Sequence, residues 1–396
     1  MKVVVAPDKF KGSLSAVEAA RAMAEGVMDS EPEAEVVVCP MADGGEGTVD
    51  AVVAATGAGV IETDVSGPLP GQRVKARWAL LPVGLSQGAA GGMPSAMLSA
   101  GVKTAVIEMA QASGLWLIPP ESRDPMVATT RGTGELISAA LDAGCGQVVV
   151  GIGGSGTVDG GTGMAAALGY RFLDADGREL APGGAALELI DSIEAGGSDR
   201  RIGDSCFLVA SDVDNPLVGS SGAAAVYGPQ KGASPEQVRT LDKGLLSLGG
   251  LIREELGVNV LDLPGAGAAG GLGAGLAAFC GARIVSGVEL VAALVGLRER
   301  IAGADLVLTG EGSLDDQTAH GKTPAGVSSI AGEMGVPVVM VAGRISGAVE
   351  RSLPPHVSTF CILPGPVDQQ EAMARAAELV RSGTSRLMRI LKLRPC

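Results

Sequence analysis

V-V-V-G-I-G-G-S-G-T-V-D-G-G-T-G, Val148 to Gly163, is the stretch on which the fold is decided. A β-branched apolar run ends in glycines, passes through small hydroxyl residues and continues into what reads as a helix from Thr157 to Leu168. Strand, glycine turn and helix start is the order by which α/β proteins bring backbone up to an oxyanion. Glycine has no Cβ to keep an anion away, and the first N–H groups of a helix are unpaired and carry the positive end of its dipole. Ser155 and Thr157 add hydroxyl donors, and Asp159 puts a carboxylate at the same turn. Gly153-Gly154 alone need be no more than a tight connection; the hydroxyls and the acid turn the reading toward a phosphate or carboxylate site. The pattern is neither G-x-x-x-x-G-K-[ST] nor a clean G-x-G-x-x-G, so it names no nucleotide.

Outward from this stretch the chain alternates strand and helix. Lys2–Ala6 reads as a buried strand, Ser13–Met28 as an amphipathic helix capped by Ser13, and Glu35–Cys39 as a second strand before a helix through Ala54. Glu62–Leu81 breaks the pattern, alternating about a Pro-Gly turn as an antiparallel hairpin does. Gly84–Ala100 is low in complexity and reads as a mobile surface loop. Thr104–Met109, Gln147–Ile152 and Cys206–Ala210 are strands; Thr133–Ala143 and Pro235–Leu256 are helices, and the Gly/Ala tract Gly265–Phe279 is a tightly packed one. Beyond about Glu289 come a helix to Ile301, strand Asp305–Thr309, helix Ala325–Met334, strands Pro337–Val341 and Val357–Leu363, and a last helix Gln369–Ile390.

Two strands before residue 60 and three after 300 are each too few for a covered parallel sheet, but five make a doubly wound one. The expected fold is therefore α/β in two domains. A Rossmann-like parallel-sheet domain (1–64 and 289–396) is interrupted by a mixed α/β insertion (65–288), with the active-site cleft between them at the carboxyl ends of strands.

Composition limits what such a cleft can do. At 396 residues the chain exceeds what one core usually serves, and 46% hydrophobic with 2% aromatic content means a core of Val, Leu, Ile and Ala. A net charge of −14 argues against nucleic acid or an anionic membrane as partner. Any phosphate site must then be made locally, from N–H groups, a few Lys/Arg and a divalent cation. Six cysteines without C-x-x-C spacing and two histidines, His320 and His356, leave little for a zinc site or a Ser-His-Asp triad. Reduced thiols fit a cytoplasmic protein. Val3–Ala6 is too short for a signal-peptide core, and Trp78–Val102 and Leu263–Ala282 lack the bulk of a spanning helix.

Five polar clusters each follow an apolar strand. They are A-P-D-K-F-K-G-S with Asp8, Lys9 and Lys11; A-D-G-G-E-G-T with Asp43 and Glu46; the turn at 153–157; S-D-V-D-N-P with Asp212, Asp214 and Asn215; and T-G-E-G-S-L-D-D-Q-T-A-H-G-K with Glu311, Asp315, Gln317 and Lys322. One acid beside a glycine is an ordinary helix cap, worth about 1 kcal/mol. Five at strand ends converging on one edge are hard to explain as caps. Carboxylates with few His suit Mg²⁺, and lysines beside glycine turns suit phosphates; together they indicate phosphoryl transfer. Arg131, at a helix start, is placed either to clamp a substrate carboxylate or to pair with Glu135 one turn on. Lys231, in the turn Tyr227–Gly232, is open to a structural and a functional reading alike.

These residues also resemble a family, the bacterial glycerate kinases of type I. The resemblance rests on A-P-D-K-F-K-G-S-L, A-D-G-G-E-G-T-V, I-E-M-A-Q-A-S-G-L, R-G-T-G-E-L-I, G-I-G-G-S-G-T-V-D-G-G, D-V-D-N-P-L-V-G, G-P-Q-K-G-A, P-G-A-G-A-A-G-G-L-G and L-T-G-E-G-S-L-D, in the family's order and over nearly the whole chain. It departs at Gly156 and Val158, where the family usually has alanine and asparagine. The resemblance implies ATP- and Mg²⁺-dependent phosphorylation of D-glycerate on its 2-hydroxyl, by two α/β domains, one split by the other.

Residue roles follow as expectations. Arg131 or Lys9 and Lys11 hold the substrate carboxylate, with Asp43, Ser155 and Asn215 beside it, and Asp212 or, second, Asp8 is the base. Gly153, Gly154, Ser155 and Thr157 cradle the phosphates of ATP, Asp43 and Glu311 hold Mg²⁺ directly or through water, and Lys322 neutralises the group in transfer. The rivals are a kinase of another small hydroxy acid or polyol, transfer to the 3-hydroxyl, and a non-catalytic metabolite binder. A dinucleotide oxidoreductase lacks the acid expected about 20 residues after its glycine motif. Oligomeric state stays open.

Overall fold

The computed structural model describes residues 1–81, 83, 98, 99, 101–315 and 322–392. Most of the Gly84–Ala100 tract, and Gln317 and His320 of the fifth cluster, lie outside the described residues. Valine-rich runs alternating with helices give two sheets. The first is all-parallel, built from β1 (Lys2–Val5), β2 (Glu35–Val38), β11 (Leu306–Leu314), β12 (Val338–Ile345) and β13 (Val357–Cys361), in the order β13-β12-β11-β1-β2. Two of its strands come from the start of the chain and three from its end, as the strand count predicted. Its order reverses between β1 and β11, which in doubly wound sheets opens a crevice outside the carboxyl ends.

The second sheet holds β3 (Gly59–Ser66), β4 (Arg73–Leu81), β5 (Thr104–Glu108), β6 (Gln147–Gly151), β9 (Cys206–Ala210) and β10 (Arg283–Val285), in the order β10-β9-β6-β5-β4-β3. The β3–β4 hairpin and the β4–β5 pair are antiparallel and the others parallel. A short antiparallel ribbon, β7 (Arg171–Leu173) with β8 (Ser192–Glu194), stands apart.

Alternation along the strands sorts side chains between faces. Val3 and Val5 pack on helices Ala16–Ser30 and Ala376–Leu391, while Val4 and Val307 point the other way. There they join Ala79, Val106, Val149 and Leu208 of the mixed sheet in one continuous core, filled by helices Thr48–Thr56, Gly287–Leu294 and Thr323–Glu333. The opposite face of the mixed sheet packs on helices Arg131–Asp142, Pro235–Leu256 and Leu272–Cys280. No helix among the described residues is long and apolar enough to cross a membrane.

Several boundaries depart from the sequence reading, each for a local reason. The first helix is capped by Ser15, not Ser13: Glu18 returns its carboxylate to the Ser15 N–H, completing a capping box, while Ser13 closes a turn onto Phe10 O. The helix expected from Thr157 begins only at Thr162 and ends at Ala167. Gly160 and Gly161 have φ of +62° and +79°, which no helix continues through. The β11 strand outruns Asp305–Thr309 to Leu314, because β12 extends beside it and the pairing continues to Leu314–Ile345. Helix Glu289–Ile301 is two, Gly287–Leu294 and Leu297–Ile301, parted at Gly296, and the terminal helix breaks at Arg375.

Candidate active site

Strand ends from both sheets meet at one loop, residues 43–47 between β2 and helix Thr48–Thr56. From β6, the Gly153 N–H donates to Gly44 O at 3.2 Å, and a Cβ on Gly153 would come 2.6 Å from Gly45 Cα. From β9, Ala210 O would lie 2.6 Å from a Cβ on Gly44. From β1, Lys9 Nζ donates to Glu46 O at 2.8 Å. The β11 strand joins through β1, where the Asp8 N–H donates to Gly310 O at 2.9 Å, one residue before Glu311. Backbones this close leave no room for a Cβ at Gly44, Gly151 or Gly153, which is why glycine stands at those three positions.

Three aspartates surround the loop. Asp43 lies on it, its Oδ1 accepting the Gly45 N–H at 3.0 Å. Asp8 is 8% exposed; its Oδ1 accepts the Lys9 N–H at 2.6 Å and its Oδ2 the Thr323 hydroxyl at 2.5 Å. Burial first, then the Asp43 charge, push the Asp8 carboxyl up to about 6 against those hydrogen bonds. Asp212 Oδ1 accepts the Ser286 hydroxyl at 2.9 Å and the Gly287 N–H at 2.8 Å, and Oδ2 accepts the Val288 N–H at 3.3 Å. As a residue Asp212 is open to solvent, but its carboxylate is turned onto the start of helix Gly287–Leu294. Burial there, opposed by the Ser286 and Gly287 donors and reinforced by Asp43, raises it to about 6. Asp212 therefore caps helix Gly287–Leu294 from another element, and Asp8 is tied to the first residue of helix Thr323–Glu333. The cap reading and the chemical reading of these acids are both true.

The glycine turn keeps its hydroxyls but not its helix. Helix Thr162–Ala167 is one and a half turns long and starts well past residue 157, so no helix dipole addresses the turn. Asp159 is fully buried and accepts the Thr130 N–H (2.7 Å), the Thr130 hydroxyl (2.9 Å) and the Gly161 and Gly163 N–H groups (3.1 and 3.3 Å). Burial raises its carboxyl all the same. It braces the turn from within and offers nothing to a ligand. Val158, where the resemblance led one to miss an amide, is buried in the core. Positive charge comes from elsewhere: Lys231, 2% exposed, donates from Nζ to Ser155 Oγ at 2.6 Å and to Thr157 O at 2.7 Å. Burial lowers its ammonium to about 7, opposed by Asp159.

Other expected residues stand further off. Arg131 pairs with Glu135 at 3.3 Å, and Glu135 in turn accepts the Ser66 N–H and hydroxyl. Arg131 lines a cavity of about 140 Å³ walled by Phe172, Leu180 and Leu187, on the far face of the mixed sheet. Asn215 spends both ends of its amide within the protein, donating to Ser221 O of its own loop at 2.8 Å and accepting the hydroxyl of Tyr227, from helix Ala223–Tyr227, at 2.6 Å. Lys11 is exposed on the turn after Asp8, and Lys322, beside Thr323, has its Nζ 3.7 Å from Asp315. Glu311 is a strand residue opposite Ala342, since β11 runs through the cluster rather than ending before it.

Three participants escaped the sequence reading. Glu108, 1% exposed at the end of β5, accepts the Val49 N–H at 2.5 Å and anchors the helix that follows the loop. Its only signal is an acid ending the apolar run T-A-V-I-E. Ser286 precedes a helix as a common cap and Thr323 opens one, and neither was visible as a partner of Asp212 or Asp8.

Among the described residues no group of three or more His, Cys, Asp or Glu is placed to hold a metal ion. Magnesium asks for less, taking one or two carboxylates with substrate oxygens and water. Its donor chemistry fits here, because two of three neighbouring aspartates are held above their ordinary range partly by the third, a crowding that a divalent cation relieves.

Residues 3–392 match the model of the glycerate kinase family. The chain is 47% identical over 349 residues to the glycerate 2-kinase of Escherichia coli (strain K12), covering 88% of this chain and 87% of that one. It is 44% identical over 394 residues to the glycerate kinase of Bacillus subtilis (strain 168), covering 99% and 98%. A crystal structure from Salmonella typhimurium LT2, of a candidate glycerate kinase 2, superposes with a TM-score of 0.81 at 44% identity over 99% of this chain and 98% of its own. With the family model spanning both sheets, the gathered strand ends included, the chain belongs to the glycerate kinase family.

Proposed function

We propose that the protein transfers the terminal phosphoryl group of ATP to the 2-hydroxyl of D-glycerate, giving 2-phosphoglycerate. The observation that carries this is the gathering of Asp8, Asp43 and Asp212 round the 43–47 loop, two of them raised to about 6. A carboxylate in that range is a competent general base near neutrality, and a hydroxyl acceptor needs one. The name of the Escherichia coli relative supports the 2-position.

Asp212 takes the hydroxyl proton. It is reachable from the cleft, whereas the Asp8 carboxylate is covered by Thr323 and the Lys9 N–H. Lys9 holds substrate charge: its ammonium lies over Gly45 and Glu46, beside the turn at Gly153. Gly153, Gly154 and Ser155 cradle phosphate oxygens, and Thr157, expected from the sequence to join them, is fully buried and backs the turn through its carbonyl on Lys231. Asp43 and Glu311 would hold magnesium, directly or through water, and the ion would supply charge neutralisation for the group in transfer. Lys11 and Lys322 remain at the rim, and Arg131, paired with Glu135 on the far face of the mixed sheet, is left out of the site.

Phosphorus NMR of the product formed from ATP and D-glycerate tests the reading. A single 2-phosphoglycerate resonance is expected. A 3-phosphoglycerate resonance overturns the regiochemistry, and turnover with other hydroxy acids but not glycerate overturns the substrate.

A further inference from the structure

We propose that Lys231 is a positioning residue of the phosphoryl-transfer site, which orients the Ser155 hydroxyl into the cleft and supplies the buried positive charge behind the 153–157 turn. The inference rests on the reading above that this turn faces the phosphates of ATP.

Its geometry is specific. Lys231 reaches the turn from the segment Pro229–Lys231, more than 70 residues on in sequence, and places Nζ between Ser155 Oγ and Thr157 O. An oxygen that accepts a hydrogen bond from an ammonium cannot send its own proton back along that line. The Ser155 O–H is therefore turned away from Lys231, and Ser155, 8% exposed, keeps a little access to the outside. Beside it, Thr157 Oγ1 is fully buried and has no hydrogen-bond partner among the described residues.

The charge follows the same logic. A buried ammonium is costly unless an anion faces it. The charged group that faces Lys231 is Asp159, and that carboxylate is already occupied by four donors from Thr130, Gly161 and Gly163. A lysine kept there in a purely structural role gains two hydrogen bonds that a neutral donor would also supply. Behind a phosphate turn that has lost its helix dipole, a bound phosphate would hold this ammonium charged and so complete the local cation that a chain of net charge −14 needs.

The test is a double-mutant cycle on steady-state constants, with Lys231→Met, Ser155→Ala and the pair, each checked by thermal melt. Lys231→Met is expected to raise the KM for ATP by about tenfold, the scale of one hydrogen bond to a charged group, with a smaller change in kcat and in the KM for glycerate. Ser155→Ala is expected to raise the same constant, and the pair to fall well short of the combined effect of the two, since the hydroxyl that Lys231 orients is already gone. If Lys231→Met does not fold, Lys231→Gln, which keeps an N–H donor without the charge, carries the test by the same criterion. Folded Lys231 variants with the wild-type KM for ATP, or effects that simply add, overturn the proposal. If Ser155→Ala changes neither constant, the phosphate role of the turn fails and takes the inference with it. If Ser155→Ala raises KM while the Lys231 variants do not, only the inference fails.

Discussion

At the scale of single residues, the site is a matter of which carboxylate is charged at neutral pH. Asp8 and Asp212 are held near 6 by burial and by the charge of Asp43, so each is mostly ionised at pH 7 and mostly protonated at pH 5. A base must be ionised to act. The kcat is therefore expected to rise with pH through an apparent value near 6 and level off above it. Asp43→Asn removes a like charge, so whatever turnover remains should have its acid limb shifted to lower pH; a pH–rate profile with an unmoved limb refutes the coupling. Asp212→Asn should lower kcat by about 100-fold or more with little change in the KM for ATP. Because Asp212 also caps helix Gly287–Leu294, its melting temperature must be read alongside. An unchanged kcat in the folded variant would take Asp212 out of the role.

At the scale of elements, the contact between the Gly153 turn and loop 43–47 is what brings two sheets to one reaction. Gly153→Ala would force its Cβ to 2.6 Å from Gly45 Cα, backbone against backbone, with no flexible side chain to give way. The loop must move, and Asp43 moves with it. Misplacement by an ångström costs catalysis more than it costs folding, so a kcat lower by roughly 100-fold in a protein that still folds is expected. Activity and circular dichroism on the same preparation decide it, and full activity would show that this contact does not place the acid.

At the scale of the whole molecule, the two sheets share a core. Val4 and Val307 from one and Val106 and Val149 from the other bury against the same helices in one continuous core. Unfolding should then be one cooperative transition. Both tryptophans, Trp78 and Trp116, belong to the part of the chain that builds the mixed sheet, whereas far-UV circular dichroism reports every helix. Coincident denaturation curves from the two probes are expected, and an earlier tryptophan transition would show separately folding lobes.

The order of strands and helices, the count of five parallel strands from the two ends of the chain, and the acids and glycines at strand ends were legible because they are local. Hydrophobic period, caps and turn residues are written within a dozen positions of where they act. The sequence also held the charge balance that makes any anion site a local construction. It could not show that Asp8 bonds Thr323, that Asp212 caps a helix 75 residues on, or that Lys231 lies beneath Ser155, since each pairing spans a distance that only folding closes. Nor could it separate Arg131 as a clamp from Arg131 as the partner of Glu135, because the same guanidinium serves either. Those choices belong to the tertiary structure: an acid or a lysine takes its charge state from the burial and neighbours it meets there, and the letters of a single chain record neither.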